Sequence, residues 1–424
     1  MIKEHYGAVN IVTLVVVGLI LGVLLRLQPI SGANDKSRWS TVWSLNSGNG
    51  YIIDETPYPT IDKVRRNGHF YSSKPALLPT LIAGVVWIIR MSTGMMLPAD
   101  EAVIVRFTLI LINIVPLAGL VVLYARLLGR MGYEQQTLLF CVCTAAFGTY
   151  LTAYSVTLNN HTLAACSVFF ALYCFIRILY ENQRHWKYFF FCGLSSAWAV
   201  ANEMVAMLLA TILMVWLGRK FPRETLRFFL PPAILIGVAF LITTYLSTGG
   251  LVPYYLYFDT PLYKYEGSYW SEPQGIDAAN EPKLFYLFNL VLGHHGILSL
   301  TPIFTLSFYG FFVKSRLQGI QNLGWILTLT MILFYTFKTN NYGGHCQGAR
   351  WLFWLIPFWL ISLAPIADRY LSSRPRRLVT YGLFLVSLFS VGFALSGHKA
   401  FANPGPWSSA WLHLVMRSVG WVDY

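Results

Sequence analysis

Long apolar runs alternate along the chain with short polar loops, most of them basic. A helix needs roughly 17–25 apolar residues to cross the hydrocarbon core of a bilayer. Runs near that length fall at 8–25, 102–124, 137–154, 162–179, 226–246, 298–313, 323–337, 351–366 and 378–395. The stretch 188–217 is long enough for two short helices that meet near Asn202-Glu203. The pattern predicts an all-α polytopic membrane protein of about 11 transmembrane helices. One further apolar run, 76–91, remains to be placed.

Charge places it. Arg126 with Arg130, Arg177 with Arg184 and Lys187, the residues 219–227, Lys314 with Arg316, and the residues 369–377 form five short basic loops. All five fall on the cytoplasmic side only if 76–91 does not cross. That run is therefore read as a juxtamembrane or re-entrant helix in the first outer loop, with the N-terminus inside. Of the acids, Glu4, Glu134, Glu181, Glu224 and Asp368 then stay inside, and the rest face outward. Residues 1–424 read as a single integral membrane domain, and the outer loops 27–101, 247–297 and 339–350 are its expected active-site face.

Composition agrees with a membrane protein: 56% of residues are hydrophobic and only 12% are charged, against about 25% in soluble domains. The net charge of +13 invites nucleic acid as a partner. Its scatter among many short loops excludes that, because no basic stripe follows a phosphate backbone. The six cysteines give no disulfide framework; Cys141-x-Cys143 lies in an apolar run and reads as packing. The first span is too long, and lacks the small-residue cleavage site, for a signal peptide.

Candidate chemistry gathers in the outer loops. The polar segment 34–79 carries Asp35, Asp54, Glu55 and Asp62 and closes with His69-Phe-Tyr-Ser-Ser-Lys-Pro75. Asp35 can act as a general base or orient an acceptor; equally, it can be an exposed loop acid paired with Lys36 or Arg38. Glu203 is the clearest intramembrane acid. Burying it costs about 2.5–3.5 kcal/mol, so it needs a partner or a wet cavity. It reads as a substrate contact, or as half of a structural pair with Arg106 or Lys338. The run Lys338 to Trp351 holds three glycines with Tyr342, His345 and Arg350. Glycines let a backbone approach a ligand, and Arg350 suits a phosphate; the alternative is a tight turn with an interfacial anchor. His294 and His295 are adjacent, and on a helix they would point apart, one to a cavity and one to solvent. The aromatic loop 254–270 offers either a stacking surface for sugars or an interfacial belt.

A long first outer loop with an early acid, Asp35, followed by Tyr71-x-x-Lys74-Pro75 opening an apolar helix, resembles the GT-C membrane glycosyltransferases. Within them it is similar to the protein O-mannosyltransferase and aminoarabinose transferase branch. Glu101-x5-Phe107 through Leu128-Gly-Arg-Met131 is similar to that family's second helix. The resemblance implies a GT-C-like fold in a bacterial cytoplasmic (inner) membrane and a polyprenyl-phosphate-linked sugar as donor. It also implies an acceptor at the outer face, membrane lipids as surroundings, Asp35 as the catalytic acid of the first loop, and Lys74 against the donor phosphate. Two departures stand out. Ser73 occupies the place of a metal-binding Glu, and Asn159-Asn160-His161 the place of an Asp. Both remove negative charge where a divalent metal would sit, so no metal ligand is assigned; His161, His294, His295 and His345 are the neutral ligands on offer. Asn160 and His161 are read as substrate contacts, and Asn159 as a helix cap.

A polytopic transporter or lipid flippase is the reading from another class, carried by Glu203 in a broken helix. A catalytically silent GT-C relative is the third, carried by the two departures.

Overall fold

A computed structural model describes residues 2–25, 30–396 and 405–423. Residues 27–29, where the first outer loop was expected to begin, lie outside the described residues. The chain is nearly all-α. Its helices in order are α1 (Ile2–Leu24), α2 (Ala33–Asn46), α3 (Leu77–Thr93), α4 (Glu101–Met131), α5 (Gln135–Tyr154), α6 (His161–Leu179), α7 (Trp186–Asn202), α8 (Met207–Lys220), α9 (Pro222–Thr248), α10 (Lys283–Val291), α11 (Ile297–Leu300), α12 (Phe304–Gly310), α13 (Gln318–Lys338), α14 (Arg350–Leu371), α15 (Arg374–Ser396) and α16 (Trp411–Ser418). Among the described residues seven of these, α4, α5, α6, α9, α13, α14 and α15, are long and apolar enough to cross a membrane. That fits a membrane protein.

One predicted span takes a different form, and the stretch 188–217 takes the two-helix form expected of it. The run 298–313 is two short helices, α11 and α12, broken around Pro302. Proline has no N–H for the ladder, and the freed geometry lets the Ile303 N–H donate to Ser387 Oγ at 3.1 Å. The run 188–217 is α7 and α8, separated by an extended Glu203 (φ −134°, ψ 101°) and a 3-10 turn. The first outer loop also contains more than helices. Strands β1 (Lys63–Arg66) and β2 (His69–Ser72) form an antiparallel hairpin with Val64 opposite Tyr71. Asn67 and Gly68 turn it with φ of 51° and 85°, as a two-residue type I′ hairpin requires.

The chain divides into two compact units. One comprises Met1–Gly22, Ile114–Ser155 and Gln274–Tyr424; the other comprises Val23–Asn113 and Val156–Pro273. In the second, α6, α7 and α9 pack side by side while α2 rests on α3 and β2. Gly193 makes the α7–α9 crossing possible, since a Cβ there would lie 2.1 Å from the Phe229 carbonyl oxygen. In the first unit, α12 packs on α14 through Gly310, where a Cβ would lie 1.9 Å from the Ser362 carbonyl oxygen.

Candidate functional site

The polar helix α2 organises the second unit. Its sequence, Ala-Asn-Asp-Lys-Ser-Arg-Trp-Ser-Thr, carries no apolar face, yet Asn34, Asp35, Ser37, Arg38, Ser40 and Thr41 are all buried. Buried polar groups must be hydrogen-bonded, and these are. Asp35, fully buried in the first turn, accepts from Ser31 N at 3.1 Å, Thr157 Oγ1 at 2.7 Å and Leu158 N at 3.2 Å. Its place at a helix N-terminus favours the carboxylate further. The alternative of an exposed loop acid is thereby corrected: Asp35 lies on a helix, and its carboxylate ties α2 to the segment before α6.

One turn along α2, Arg38 donates through Nη1 to the Asn34 carbonyl at 3.1 Å and to Asn34 Oδ1, and through Nη2 to Asn160 Oδ1. Asn160 passes the connection on. Its Nδ2 donates to the Asn202 carbonyl at 2.8 Å and to Glu203 Oε1 at 2.7 Å. The same Glu203 oxygen pairs with His161 Nδ1 at the start of α6. Asn159 caps that helix, accepting from Thr162 N at 2.8 Å. A cation, a carboxylate, an imidazole and two amides are thus linked in series where α7 breaks off. Helices end in unsatisfied backbone groups; here the Asn202 carbonyl finds its donor in Asn160.

Lys74 lies beside a second arm of the same helix. Its Nζ pairs with Asp62 at 2.9 Å, and both side chains are mostly buried. The Asp62 carbonyl accepts from Ser37 Oγ of α2 at 2.6 Å and from Ser73 Oγ at 3.1 Å, while Ser37 and Ser72 share a 2.7 Å hydroxyl contact. Ser73 therefore serves the backbone, and the carboxylate nearest Lys74 comes from Asp62. A divalent ion does not fit this corner, because its one carboxylate is already neutralised. Two tyrosines of the 254–270 loop reach these groups. Burial and then the Asp62 carboxylate hold the Tyr263 phenol well above its usual range, opposed by a hydrogen bond with Ser73. Burial and then Glu203 do the same to Tyr255. The aromatic loop is packed rather than spread as a belt: Tyr254 and Tyr263 form a core with Val64 of the hairpin, flanked by Tyr71, Leu262 and Trp270.

The remaining predicted site residues, Tyr342, His345 and Arg350, belong to the first unit. Tyr342 is buried, stacks on Tyr286 at 4.1 Å between ring centroids and on His295 at 5.2 Å, and donates its hydroxyl to Glu281. His345 is exposed. Arg350 is buried, donates through Nη2 to the Gly343 carbonyl, and sits over Trp351 and Trp407. A Cβ on Gly343 would fall 2.8 Å from Arg350 Nε, so the glycine makes room for the guanidinium. The expectation for the paired histidines is overturned. They lie in the turn between Gly293 and Gly296, both are buried, and their Nδ1 atoms meet at 2.6 Å. Burial, then the charge His413 would carry, pushes the His294 pKa down to about 3. His295 is lowered well below its ordinary value by burial first and then by its histidine neighbours. Among the described residues no three His, Cys, Asp or Glu side chains are grouped to hold a metal ion.

Arg38, Asn34, Asp62, Thr157, Tyr255 and Tyr263 are the site residues that sequence reasoning did not single out for a role. Only the polar run 34–41 inside a greasy chain signalled the first two. No protein-family model matches the chain, and no curated protein matches it by sequence.

Proposed function

We propose that this chain is a membrane glycosyltransferase with a GT-C-like layout of about 11 spans, moving a sugar from a polyprenyl-phosphate donor to an acceptor at the outer face. The observation that carries the reading is the linked series Arg38–Asn160–Glu203–His161, buried at a helix break in an otherwise apolar protein. Charges are kept inside membrane proteins for function by default. In the reaction the acceptor hydroxyl attacks the anomeric carbon, the bond to the donor phosphate breaks, and the hydroxyl proton passes to a carboxylate. Glu203 is slightly open to solvent whereas Asp35 is fully enclosed. Glu203 is therefore the base, with His161 orienting it, and Asp35 positions α2 beneath it. Asn160 presents the carboxylate, and the second lone pair of its Oδ1 accepts from a sugar hydroxyl.

Lys74 stabilises the leaving phosphate, which takes the place of Asp62 on the ammonium. A phosphate role for Arg350 would require it to release the Gly343 carbonyl, so the proposal does not depend on it. Tyr342 and His345 are left outside the reaction for the same reason: their partners account for Tyr342, and exposure for His345.

The test is release of polyprenyl phosphate from lipid-linked sugars by the full-length protein in proteoliposomes. Glu203→Gln should lower turnover by about 10²–10⁴-fold, and Lys74→Met should weaken donor use. Wild-type activity in Glu203→Gln would refute the assignment. A transporter is favoured by the same broken helix. Solute uptake by these proteoliposomes without any lipid-linked sugar would establish it instead.

A further inference from the structure

Helix α9 is the least buried of the seven candidate spans, with only 17% of its most apolar window covered by protein. On a helix long and apolar enough to span a bilayer such a surface suits contact with lipid, which places the end of α9 at Thr248 near the membrane–water boundary. The chain just beyond it stays apolar on the surface: Leu251, Leu256 and Tyr257 are exposed. Tyrosine among aliphatic side chains at a helix end is the usual composition of the headgroup region. Into this corner comes a cation from the hairpin. Val64 and Arg66 lie on the same face of β1, Val64 buried against Tyr254 and Tyr263. The Arg66 guanidinium lies beside the Gly249 backbone, where a Cβ would be 2.5 Å from Nη2.

A guanidinium at a helix C-terminus ordinarily caps carbonyls. Here the Thr244, Tyr245 and Ser247 carbonyls already have donors. Thr244 O accepts from Thr248 Oγ1 at 2.9 Å, Tyr245 O from Gly249 N at 2.7 Å and Ser247 O from the Tyr254 hydroxyl at 3.2 Å, while the same Thr248 hydroxyl accepts from Gly250 N at 3.1 Å. Among the described residues no carboxylate pairs with Arg66, and its side chain has no hydrogen bond. The hairpin thus delivers a half-buried, unneutralised guanidinium to the rim of an exposed apolar helix.

We infer that Arg66, at the end of α9, binds the phosphate headgroup of an anionic phospholipid whose acyl chains lie along α9. The guanidinium's planar fork matches a phosphate, and Leu251, Leu256 and Tyr257 cover the glycerol and upper chains. This assignment is independent of the transferase reading, since it involves none of the residues given a part in the reaction.

The test uses the full-length protein in nanodiscs of phosphatidylcholine with phosphatidylglycerol, with retained lipids read by native mass spectrometry. Wild type should retain phosphatidylglycerol preferentially. Arg66→Gln should lower that preference roughly fivefold, the effect of one basic side chain at an anionic surface. Arg65→Gln, on the opposite face of β1, should leave it unchanged. Leu256→Ser should weaken retention of both lipids alike and leave the preference intact. Millimolar inorganic phosphate should not displace the lipid. An unaltered preference in Arg66→Gln, an equal loss in Arg65→Gln, full retention in Leu256→Ser, or displacement by free phosphate would each overturn the inference.

Discussion

Two buried polar clusters, one in each unit, solve the same problem in different ways. Around Glu203 the chain buries ions, Asp35, Arg38 and Glu203, and satisfies them with amides, a hydroxyl and backbone N–H groups. Around Tyr342 it buries groups kept neutral, His294 and His295, against stacked rings. Burying an ion costs several kcal/mol even when it is paired, and an apolar replacement often does as well. Stacked rings cost nothing comparable and add about 0.5–1.5 kcal/mol per pair. On the proposed reading the ionic cluster is the working one and the ring stack, with Arg350 tied to the Gly343 carbonyl beside it, is scaffold.

That contrast can be broken, and the largest effect tests it first. Arg38→Met should destabilise the protein most, because it strands three buried acceptors, the Asn34 carbonyl, Asn34 Oδ1 and Asn160 Oδ1, at about 1–3 kcal/mol each; thermal unfolding in detergent would register this as a large drop in midpoint. Next comes Asp35→Asn. Its amide would set an N–H₂ against one of the donors from Ser31, Thr157 or Leu158, at a cost of about 1–3 kcal/mol. If Asp35 is the positioning group described here, its residual turnover should recover on cooling, as a base-deficient enzyme's would not.

The third prediction concerns the neutral cluster and acid. His294 is held at about 3 in the fold, below the value of about 6.5 that it takes in the unfolded chain. Between those limits the unfolded state binds more protons, so stability is full above about 6.5 and falls as pH drops toward 3. His294→Phe should flatten the fall in unfolding midpoint between these limits. The smallest effect is that of Tyr342→Phe, which keeps the ring stack and loses the hydroxyl to Glu281; a loss of about 0.5–3 kcal/mol is expected, with transfer activity retained.

Much of this architecture is legible from hydropathy, because period and run length report directly on burial in lipid. The helix break at Asn202-Glu203 was legible for the same reason: a carboxylate interrupts an apolar run. The hairpin's signal is short, Asn67-Gly68 between two four-residue strands, and the surrounding charges mask it. The partners of the acids were not legible. Arg38 meets Asn160 across 122 positions, and nothing local to either residue announces it. The paired histidines depart from helical expectation because Gly293 and Gly296 make a turn there. Arg350 has the side chain of a phosphate ligand, and only its contact with the Gly343 carbonyl reveals the other use.

The most direct test of the central claim compares the two clusters in one assay. Wild type, Glu203→Gln and His294→Phe would be reconstituted together and supplied with polyprenyl-phosphate sugars, and polyprenyl phosphate release measured. The account predicts a fall of at least ~100-fold for Glu203→Gln and near-normal release for His294→Phe. Release unaffected by Glu203→Gln, or abolished only by His294→Phe, would contradict it.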